Sequence, residues 1–312
     1  MKRSFAALLL GLGACAAHPP SSLPSPGGGI AFALIGDTPY GGFEARALDS
    51  MIEEMNREDL AFVIHVGDIT SGRGPCGDEW FEARKRQFGK SRHPFILIPG
   101  DNDWVDCHRT GFDPLERLGR FREIFESGDR SLGERGLRLE RQSGRYSDYR
   151  EHLRWISADV LFLGVNVPGG NNNLGRTPAM DAEHRSRMAA VRAWLDEGER
   201  LAGERRLSGM VIFAQGDPRF ETAGRCTGAD GFAEFRAALR DLALRFGKPV
   251  LFVNGDTHFH RIDEPLSDPA TGRPLPNFTR VVVYGSPFTH WIRADIAPSS
   301  ERLFRVNPAP DR

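Results

Sequence analysis

Four apolar runs that each end in a Gly-Asp pair are the strongest constraint on how this 312-residue chain can fold. The runs "IAFALIGD", "FVIHVGD", "FILIPGD" and "VLFVNGD" end at Asp37, Asp68, Asp101 and Asp256. Continuous apolar runs are typical of strands buried on both faces. Segments with helical periodicity follow the first three runs, so the chain predicts an α/β fold with largely parallel pairing. Two late runs, "TRVVVYGS" and "HWIRADI", have no helix between them and predict antiparallel strands in a mixed sheet.

The strand ends predict a shared site. In α/β sheets, ligands bind beyond the carboxyl ends of the strands, and a glycine there lets the backbone turn sharply. Four carboxylates aimed at one crevice repel each other unless a cation lies among them. Each aspartate taken singly could merely cap the helix that follows. Four such pairs, the last continuing to Thr257-His258, favour a metal site.

The N-terminus reads as an export signal. "MKRSFAALLLGLGAC" has a basic pair, a short apolar stretch and small residues before Cys15, and it is too short to span a membrane. The segment "LGAC" resembles a bacterial lipoprotein cleavage box, with an ordinary signal peptide as the alternative. We therefore expect a signal peptide at 1–14, a Pro/Ser/Gly linker at 15–28 and a single domain at 29–312. The protein would be exported to the periplasm or cell envelope and lipid-anchored at Cys15.

The cysteines suggest one disulfide, because an exported protein can hold one. Cys76 lies eight residues after Asp68, and Cys107 lies six residues after Asp101. If the two preceding strands are neighbours, both loops leave the same edge of the sheet and a Cys76–Cys107 bridge is expected. A zinc site is disfavoured because the chain has no C-x-x-C pair, and Cys226 is left as a free or buried thiol.

From about residue 30 to 295, the order of these motifs resembles the calcineurin-like metallophosphoesterase superfamily. Its pattern is Asp-x-His, Gly-Asp, Gly-Asn-His-Asp/Glu, a lone His and Gly-His-x-His. The resemblance implies a four-layer sandwich of two mixed β-sheets between helices. It also implies two metal ions bridged by the second aspartate, and hydrolysis of phosphate esters.

The match to that pattern is partial. Asp37 fits the first aspartate, but Pro39 stands where a histidine is expected. Asp68 fits the bridging position. In the third motif, Asp101 replaces asparagine and Asn102 replaces histidine.

The last two motifs depart in the same way. Gln215 stands where the lone histidine is expected, and Asp217 is the alternative ligand at that position. Asp256 replaces the first histidine of Gly-His-x-His. The resemblance thus implies six metal ligands: Asp37, Asp68, Asp101, Gln215, Asp256 and His258.

This ligand set is rich in oxygen. Two divalent ions would bring four positive charges to four carboxylates, so the site would be neutral. Oxygen ligands favour Mg²⁺ or Mn²⁺ over Zn²⁺. Asn102 cannot donate a proton as the usual histidine does, but its amide can hydrogen-bond a phosphate oxygen. We therefore predict Asn102 and His65 as catalytic residues, with His108, His260 and His290 as other candidate acids, although a packing or surface role is the simpler reading of each histidine.

Two residues are candidates for binding the substrate. Arg109 could bind an anion bidentately, unless it pairs with Asp106 or Asp78. Asn166 opens the stretch "NVPGGNNN", which either lines the mouth of the site with amides or forms a polar loop.

The charge and the motifs together set the expected function. The net charge of −1 gives no electrostatic footprint for nucleic acid, so none is expected as a partner. The chain is predicted to be a metal-dependent phosphomonoesterase or phosphodiesterase of the bacterial cell envelope, acting on a small phosphorylated substrate. It would contact the membrane only through its lipid anchor. The alternatives are a metal-binding envelope lipoprotein of the same fold that binds a ligand without catalysis, and a descendant that binds neither tightly.

Overall fold

The strands of this chain lie in two mixed sheets. The computed structural model describes residues 29–222, 228–298 and 300–308. The predicted signal peptide and linker, Cys15 and Cys226 lie outside these residues. In chain order the strands and helices are β1 Ile30–Ile35, α1 Gly42–Arg57, β2 Val63–His65, α2 Asp78–Phe88, β3 Phe95–Leu97, α3 Pro114–Phe125, β4 Glu140–Arg141, β5 Leu153–Ser157, β6 Val160–Gly164, α4 Gly169–Asn172, α5 Pro178–Glu204, β7 Gly209–Phe213, α6 Ala233–Phe246, β8 Val250–Asn254, β9 Arg261–Asp263, β10 Phe278–Val282, β11 Ile292–Ile296 and β12 Phe304–Pro308.

The first sheet carries three of the Gly-Asp pairs. Its order is β12-β11-β1-β2-β3, in which β1, β2 and β3 are parallel and β11 and β12 are antiparallel. Ile35 pairs with His65, and His65 pairs with Leu97. Because the strand ends are in register, the chain leaves all three strands at the same edge of the sheet.

The second sheet carries the fourth pair. Its order is β4-β5-β6-β7-β8-β10-β9, with β6, β7, β8 and β10 parallel and the flanking strands antiparallel. The apolar runs predicted its central strands. They did not predict β9, in which Arg261 and Ile262 are exposed, because a strand at the edge of a sheet need not be apolar.

Four layers result from packing helices on the outer faces of both sheets. Phe32 and Leu34 of β1 pack between the sheets against Phe162 of β6 and Val211 of β7. The helices α1, α2 and α3 cover the first sheet, and α5 and α6 cover the second. The prediction of an α/β four-layer sandwich with two mixed sheets is confirmed.

Helix ends follow the expected local chemistry. Asp113 caps α3 by accepting a hydrogen bond from the Glu116 amide at 2.9 Å, and Pro114 is the first helical residue. Gly247 ends α6 at a φ of 64°, in the left-handed region. Across the described ranges, no helix has the length and apolarity needed to cross a membrane.

Candidate metal centre

The four predicted aspartates meet in one crevice where the two sheets adjoin. The Asp37 carboxylate accepts the Asp256 amide, with its two oxygens at 3.0 and 3.1 Å. Gln215 Nε2 lies 3.4 Å from Asp37 Oδ1 and 3.1 Å from Asp68 Oδ2. An ideal Cβ built on Gly169 would lie 2.6 Å from Asp256 Oδ1 and 2.8 Å from Asp101 Oδ2. The predicted convergence is therefore confirmed.

Several site residues adopt an uncommon backbone conformation. The φ angles are 48° at Asp37, 60° at Asp68, 72° at Asp256 and 65° at His258. Non-glycine residues rarely occupy this region, and such conformations cluster at functional sites. The Gly-Asp pattern thus has a second reason: the chain turns sharply at the strand end so that the aspartate faces the crevice.

Tyr40 lies at the centre of the crevice. Its hydroxyl accepts a hydrogen bond from Asn102 Nδ2 at 3.1 Å. The hydroxyl oxygen also lies 3.1 Å from Asp68 Oδ2 and 3.0 Å from His258 Nε2, two acceptors that share its one proton. Burial and the charge of Asp68 raise the pKa of Tyr40, so the hydroxyl keeps its proton at neutral pH. The "GDTPY" stretch contained this residue, but no spacing rule identifies a tyrosine as the bridge between two other motifs.

His258 is oriented as a metal ligand. Its Nδ1 lies 2.7 Å from the Ser286 carbonyl oxygen and donates to it. The Nε2 lone pair therefore faces the crevice, where Asp37 Oδ1 lies 3.9 Å away. A backbone carbonyl that fixes the tautomer in this way is a common support for ligating histidines.

Gln215 is not placed as the sequence predicted. Its Oε1 accepts from the Gly169 amide at 2.6 Å and from the Asp101 amide at 3.3 Å. Because backbone N–H groups can only donate, the side-chain oxygen must face them, and the NH₂ group faces Asp37 and Asp68. An amide nitrogen carrying two protons offers a metal no lone pair, so the assignment of Gln215 as a ligand is wrong in this arrangement. Gln215 positions two carboxylates instead.

His65 is not placed to donate a proton to a substrate. Its side chain is fully buried under the site. Its Nδ1 accepts from the Gly67 amide at 3.1 Å, so the proton is on Nε2, which donates to the Thr38 carbonyl at 2.9 Å. Burial lowers the pKa of His65 to about 4, so the ring is neutral at pH 7. The prediction of a catalytic role is wrong, and the packing alternative holds.

Asn166 is also removed from the crevice mouth. It is fully buried, and its side-chain Nδ2 donates to Glu151 Oε1 at 2.9 Å. Its backbone carbonyl oxygen accepts from Arg187 at 2.8 Å. Arg187 donates in turn to Asn172 Oδ1 at 2.6 Å. The prediction of substrate contact is contradicted, because this asparagine belongs to an internal polar network that fixes the neighbouring loop.

That neighbouring loop forms a wall of the site. Gly170, Asn171, Asn172 and Asn173 have φ between 55° and 64°, one turn of left-handed conformation within and after α4. Asparagine and glycine are the residues that best tolerate it. The turn brings the backbone of Gly169 against Asp101 and Asp256, which a side chain at that position would prevent. The run "GGNNN" therefore reflects backbone geometry.

Arg109 lies at the rim of the crevice in an ion pair. Its Nη1 is 2.7 Å from Asp106 Oδ2, as one alternative predicted, and its side chain is 39% exposed. Arg176 pairs with the same carboxylate at 3.3 Å. A Cβ on Gly72 would lie 2.7 Å from Arg109 Nη1 and 3.0 Å from Asn102 Oδ1, so the arginine and the Asn102 amide adjoin. Two guanidinium groups around one carboxylate leave one positive charge beside the acidic crevice.

The predicted disulfide is present. Cys76 and Cys107 form a bridge with a Cα–Cα distance of 5.8 Å, and both are buried. The two sulfurs lie 3.7 and 3.5 Å from the carbonyl oxygen of Asn102. The bridge therefore joins the loop after β2 to the loop that carries Asn102.

Asp103 supports the same loops and was not assigned a role from the sequence. Its carboxylate accepts from the amides of Asp68, Ile69 and Gly100 at 2.9, 2.8 and 2.7 Å. Burial raises its pKa to about 6, although the three backbone donors oppose the shift. Asp103 thereby fixes the relative positions of the second and third motifs.

Within the described residues, no lysine or arginine forms an ion pair with Asp37, Asp68, Asp101 or Asp256. Burial, with the repulsion of neighbouring carboxylates, raises the pKa of Asp37 to about 8 and raises those of the other three. Four carboxylates in this state fit a bound cation of high charge.

The donor set fits divalent cations in charge and ligand type. As the side chains stand, no three His, Cys, Asp or Glu residues of the described ranges are arranged to hold a metal ion. The Gln215 amide and the Tyr40 hydroxyl lie between the carboxylates and set their positions. The residues that would hold metal are the four aspartates and His258, whose Nε2 lies 3.9 Å from Asp37 Oδ1.

The four-layer fold and the carboxylate crevice at the strand ends define a metal-dependent hydrolase. A family model for the calcineurin-like phosphoesterases matches residues 30–202, and the chain belongs to that family. The family comprises hydrolases of phosphate esters that usually use two divalent metals.

Solved structures agree with this fold. The structure of PhoD superposes with a TM-score of 0.57 at 13% identity, covering 89% of this chain and 66% of that one. A dimetal phosphatase from Danio rerio superposes with a TM-score of 0.53 at 14% identity, covering 85% and 92%. Identities this low show the fold alone.

A different sequence match comes from the urease accessory protein UreD of Bordetella pertussis. It is 24% identical over 144 residues, which cover 39% of this chain. The chain spans about half the length of the curated relatives it matches, 51% for this one.

Proposed function

We propose that this protein is a phosphoesterase of the bacterial cell envelope that works with Mn²⁺ or Mg²⁺. The observation that supports the proposal most is the group of four aspartates, three buried and one partly buried, that pair with no arginine or lysine among the described residues. Asp37, Asp68, Asp101 and Asp256 would hold the metal with His258. Divalent ions bound there would polarise a phosphate ester and lower the pKa of a bound water.

The chain's own residues would orient the phosphate. Asn102 uses one N–H on Tyr40, so its second N–H is available for a phosphate oxygen. Arg109 and Arg176 adjoin the crevice with one positive charge in excess over Asp106, and guanidinium groups bind phosphate bidentately. Tyr40 keeps its proton and holds Asp68 and His258 at a fixed spacing.

A metal titration of chelator-treated protein tests the ligand set. The melting temperature should rise more with Mn²⁺ or Mg²⁺ than with Zn²⁺, because hard ions prefer oxygen ligands. Asp68→Asn should abolish the rise, whereas Asp129→Asn, a change at an exposed carboxylate, should leave it intact. Asp256→His should move the preference towards Zn²⁺. If Zn²⁺ stabilises the wild type most and Asp68→Asn changes nothing, the proposed centre is wrong.

Assays of generic phosphate monoesters and diesters with added Mn²⁺ or Mg²⁺ test turnover. One observation favours the alternative, a metal-binding lipoprotein that binds a ligand without catalysis. His65 is paired with backbone at both nitrogens, and the Asn102 amide cannot act as a general acid. Binding of inorganic phosphate to the metal-loaded protein, with no hydrolysis of either ester class, would establish that alternative.

We also propose that the protein is anchored in the cell envelope. The lipoprotein-type segment ending at Cys15 supports an envelope anchor. Labelled palmitate should appear on the mature protein and should be lost in Cys15→Ser. A mature N-terminus elsewhere, without acylation, would indicate an ordinary signal peptide.

A further inference from the structure

Three phenylalanines are unusually exposed. Eight large hydrophobic side chains are exposed among the described residues, and only three of them exceed one half: Phe43 at 79%, Phe259 at 72% and Phe288 at 52%. Single exposed apolar residues are normal on a protein surface and need no explanation. The position of these three relative to the crevice gives them significance.

Each of the three lies beside a residue of the candidate site. Phe259 follows His258 directly, and Phe288 comes two residues after Ser286, whose carbonyl accepts the His258 Nδ1 proton. Phe43 precedes Glu44, whose carboxylate accepts the Tyr40 amide at 2.8 Å and the Ser286 hydroxyl. Consecutive Cα atoms are about 3.8 Å apart, so all three phenylalanines lie within two residues of one hydrogen-bonded junction.

The crevice reaches solvent at the segment that carries Phe259. Asp256 is only partly buried, and Thr257 is exposed. In the neighbouring segment, Tyr284 stacks on His260 with ring centroids 4.7 Å apart. Gly285 has its backbone against Asp37 and His258, so the segment that carries Phe288 is part of the wall of the crevice. The carboxylate centre therefore has a cationic rim at Arg109 and an apolar, aromatic rim at the segments that carry Phe43, Phe259 and Phe288.

We propose that Phe43, Phe259 and Phe288 bind an apolar group of the substrate, an aromatic ring or an acyl chain attached next to the phosphate. This assigns a substrate class to the proposed phosphoesterase and rests on that function. The carboxylate centre can engage only the phosphate. Covering the exposed aromatic rings with an apolar group is favourable, because it removes apolar surface from water. An ester whose organic part is small and polar would leave all three rings in solvent.

Binding of non-hydrolysable phosphonates to the full-length, Mn²⁺-loaded protein tests this without turnover. Octylphosphonate and phenylphosphonate are compared with methylphosphonate by calorimetry, which separates the acyl from the aromatic source. We expect at least one apolar ligand to bind roughly tenfold more tightly than methylphosphonate. Half-burying a few methylenes, or covering one ring face, contributes a binding free energy of that size. The triple variant Phe43→Ser, Phe259→Ser, Phe288→Ser should bind the apolar and methyl ligands within about twofold of each other.

Leu244→Ser is the matched control, because Leu244 is 40% exposed on α6 and should leave the preference unchanged. Equal binding of all three phosphonates to the wild type, or an unchanged preference in the triple variant, overturns the proposal. If the wild type shows no ligand preference but binds phosphatidylcholine vesicles, and the triple variant does not bind them, the rings contact a membrane surface. That result also overturns the proposal. If the preference is present but no ester is hydrolysed, the apolar site stands and the proposed catalysis fails.

Discussion

Removing the Cys76–Cys107 bridge should destabilise the protein and disturb the site together. The perturbation is the double variant Cys76→Ser, Cys107→Ser, compared with wild type under oxidising conditions, in which the wild-type bridge stays closed. The bridge joins residues 31 positions apart. In the chain-entropy account, closing a loop of that length lowers the free energy of folding by about 4 kcal/mol at 25 °C. Because the two sulfurs flank the Asn102 carbonyl oxygen, the loop bearing Asn102 should also lose its covalent link to the loop after β2.

Denaturant unfolding and thermal melting measure the first effect. For a domain of this size, about 4 kcal/mol corresponds to a fall in melting temperature of roughly 7 °C. Titration of Mn²⁺ or of methylphosphonate measures the second effect, and both should bind more weakly in the double variant. Cys226→Ser leaves the bridge intact and serves as the control.

If the double variant unfolds within about 1 kcal/mol of wild type, the bridge does not constrain the unfolded chain as its loop length requires. If stability falls as expected but ligand binding is unchanged, the stabilisation argument holds and the link from the bridge to Asn102 is wrong.

Two further predictions follow from individual contacts. Gly169→Ala places a Cβ 2.6 Å from Asp256 Oδ1 and 2.8 Å from Asp101 Oδ2, so it should weaken Mn²⁺ binding by about tenfold or more in calorimetry; Gly203→Ala on α5, where a Cβ meets nothing within 4 Å, should not. Burial lowers the pKa of His152 to about 4. As the pH falls, His152 therefore binds a proton in the unfolded chain at a higher pH than in the folded protein. The free energy of unfolding should therefore fall between about pH 6.5 and pH 4, by up to about 3 kcal/mol from this group, and His152→Gln should flatten that part of the curve; an unchanged slope would contradict the assignment.

The sequence determined the parallel core of the fold. Continuous apolar runs identify strands buried on both faces wherever they are central, as in β1 and β8. The same rule could not identify β9, because an edge strand faces solvent and its composition is free to be polar. The pairing of Cys76 with Cys107 also followed from the sequence, because neighbouring parallel strands release their loops at one edge.

The sequence also located the carboxylates, since a Gly-Asp pair at a strand end turns the side chain into the crevice. It could not determine what the neutral polar residues do there. Gln215 has its oxygen held by the amides of Asp101 and Gly169, and that orientation decides that it donates to carboxylates and binds no metal through its oxygen.

His65 and Asn166 differ from prediction for the same reason. His65 is the last residue of β2, and Asn166 lies two residues past the end of β6. At such positions the sequence alone cannot tell a side chain that faces the crevice from one that faces the interior. Their partners, Thr38 and Glu151, come from other segments of the chain. A hydrogen-bonding side chain takes its role from the donors and acceptors around it, and only the tertiary structure brings those groups together.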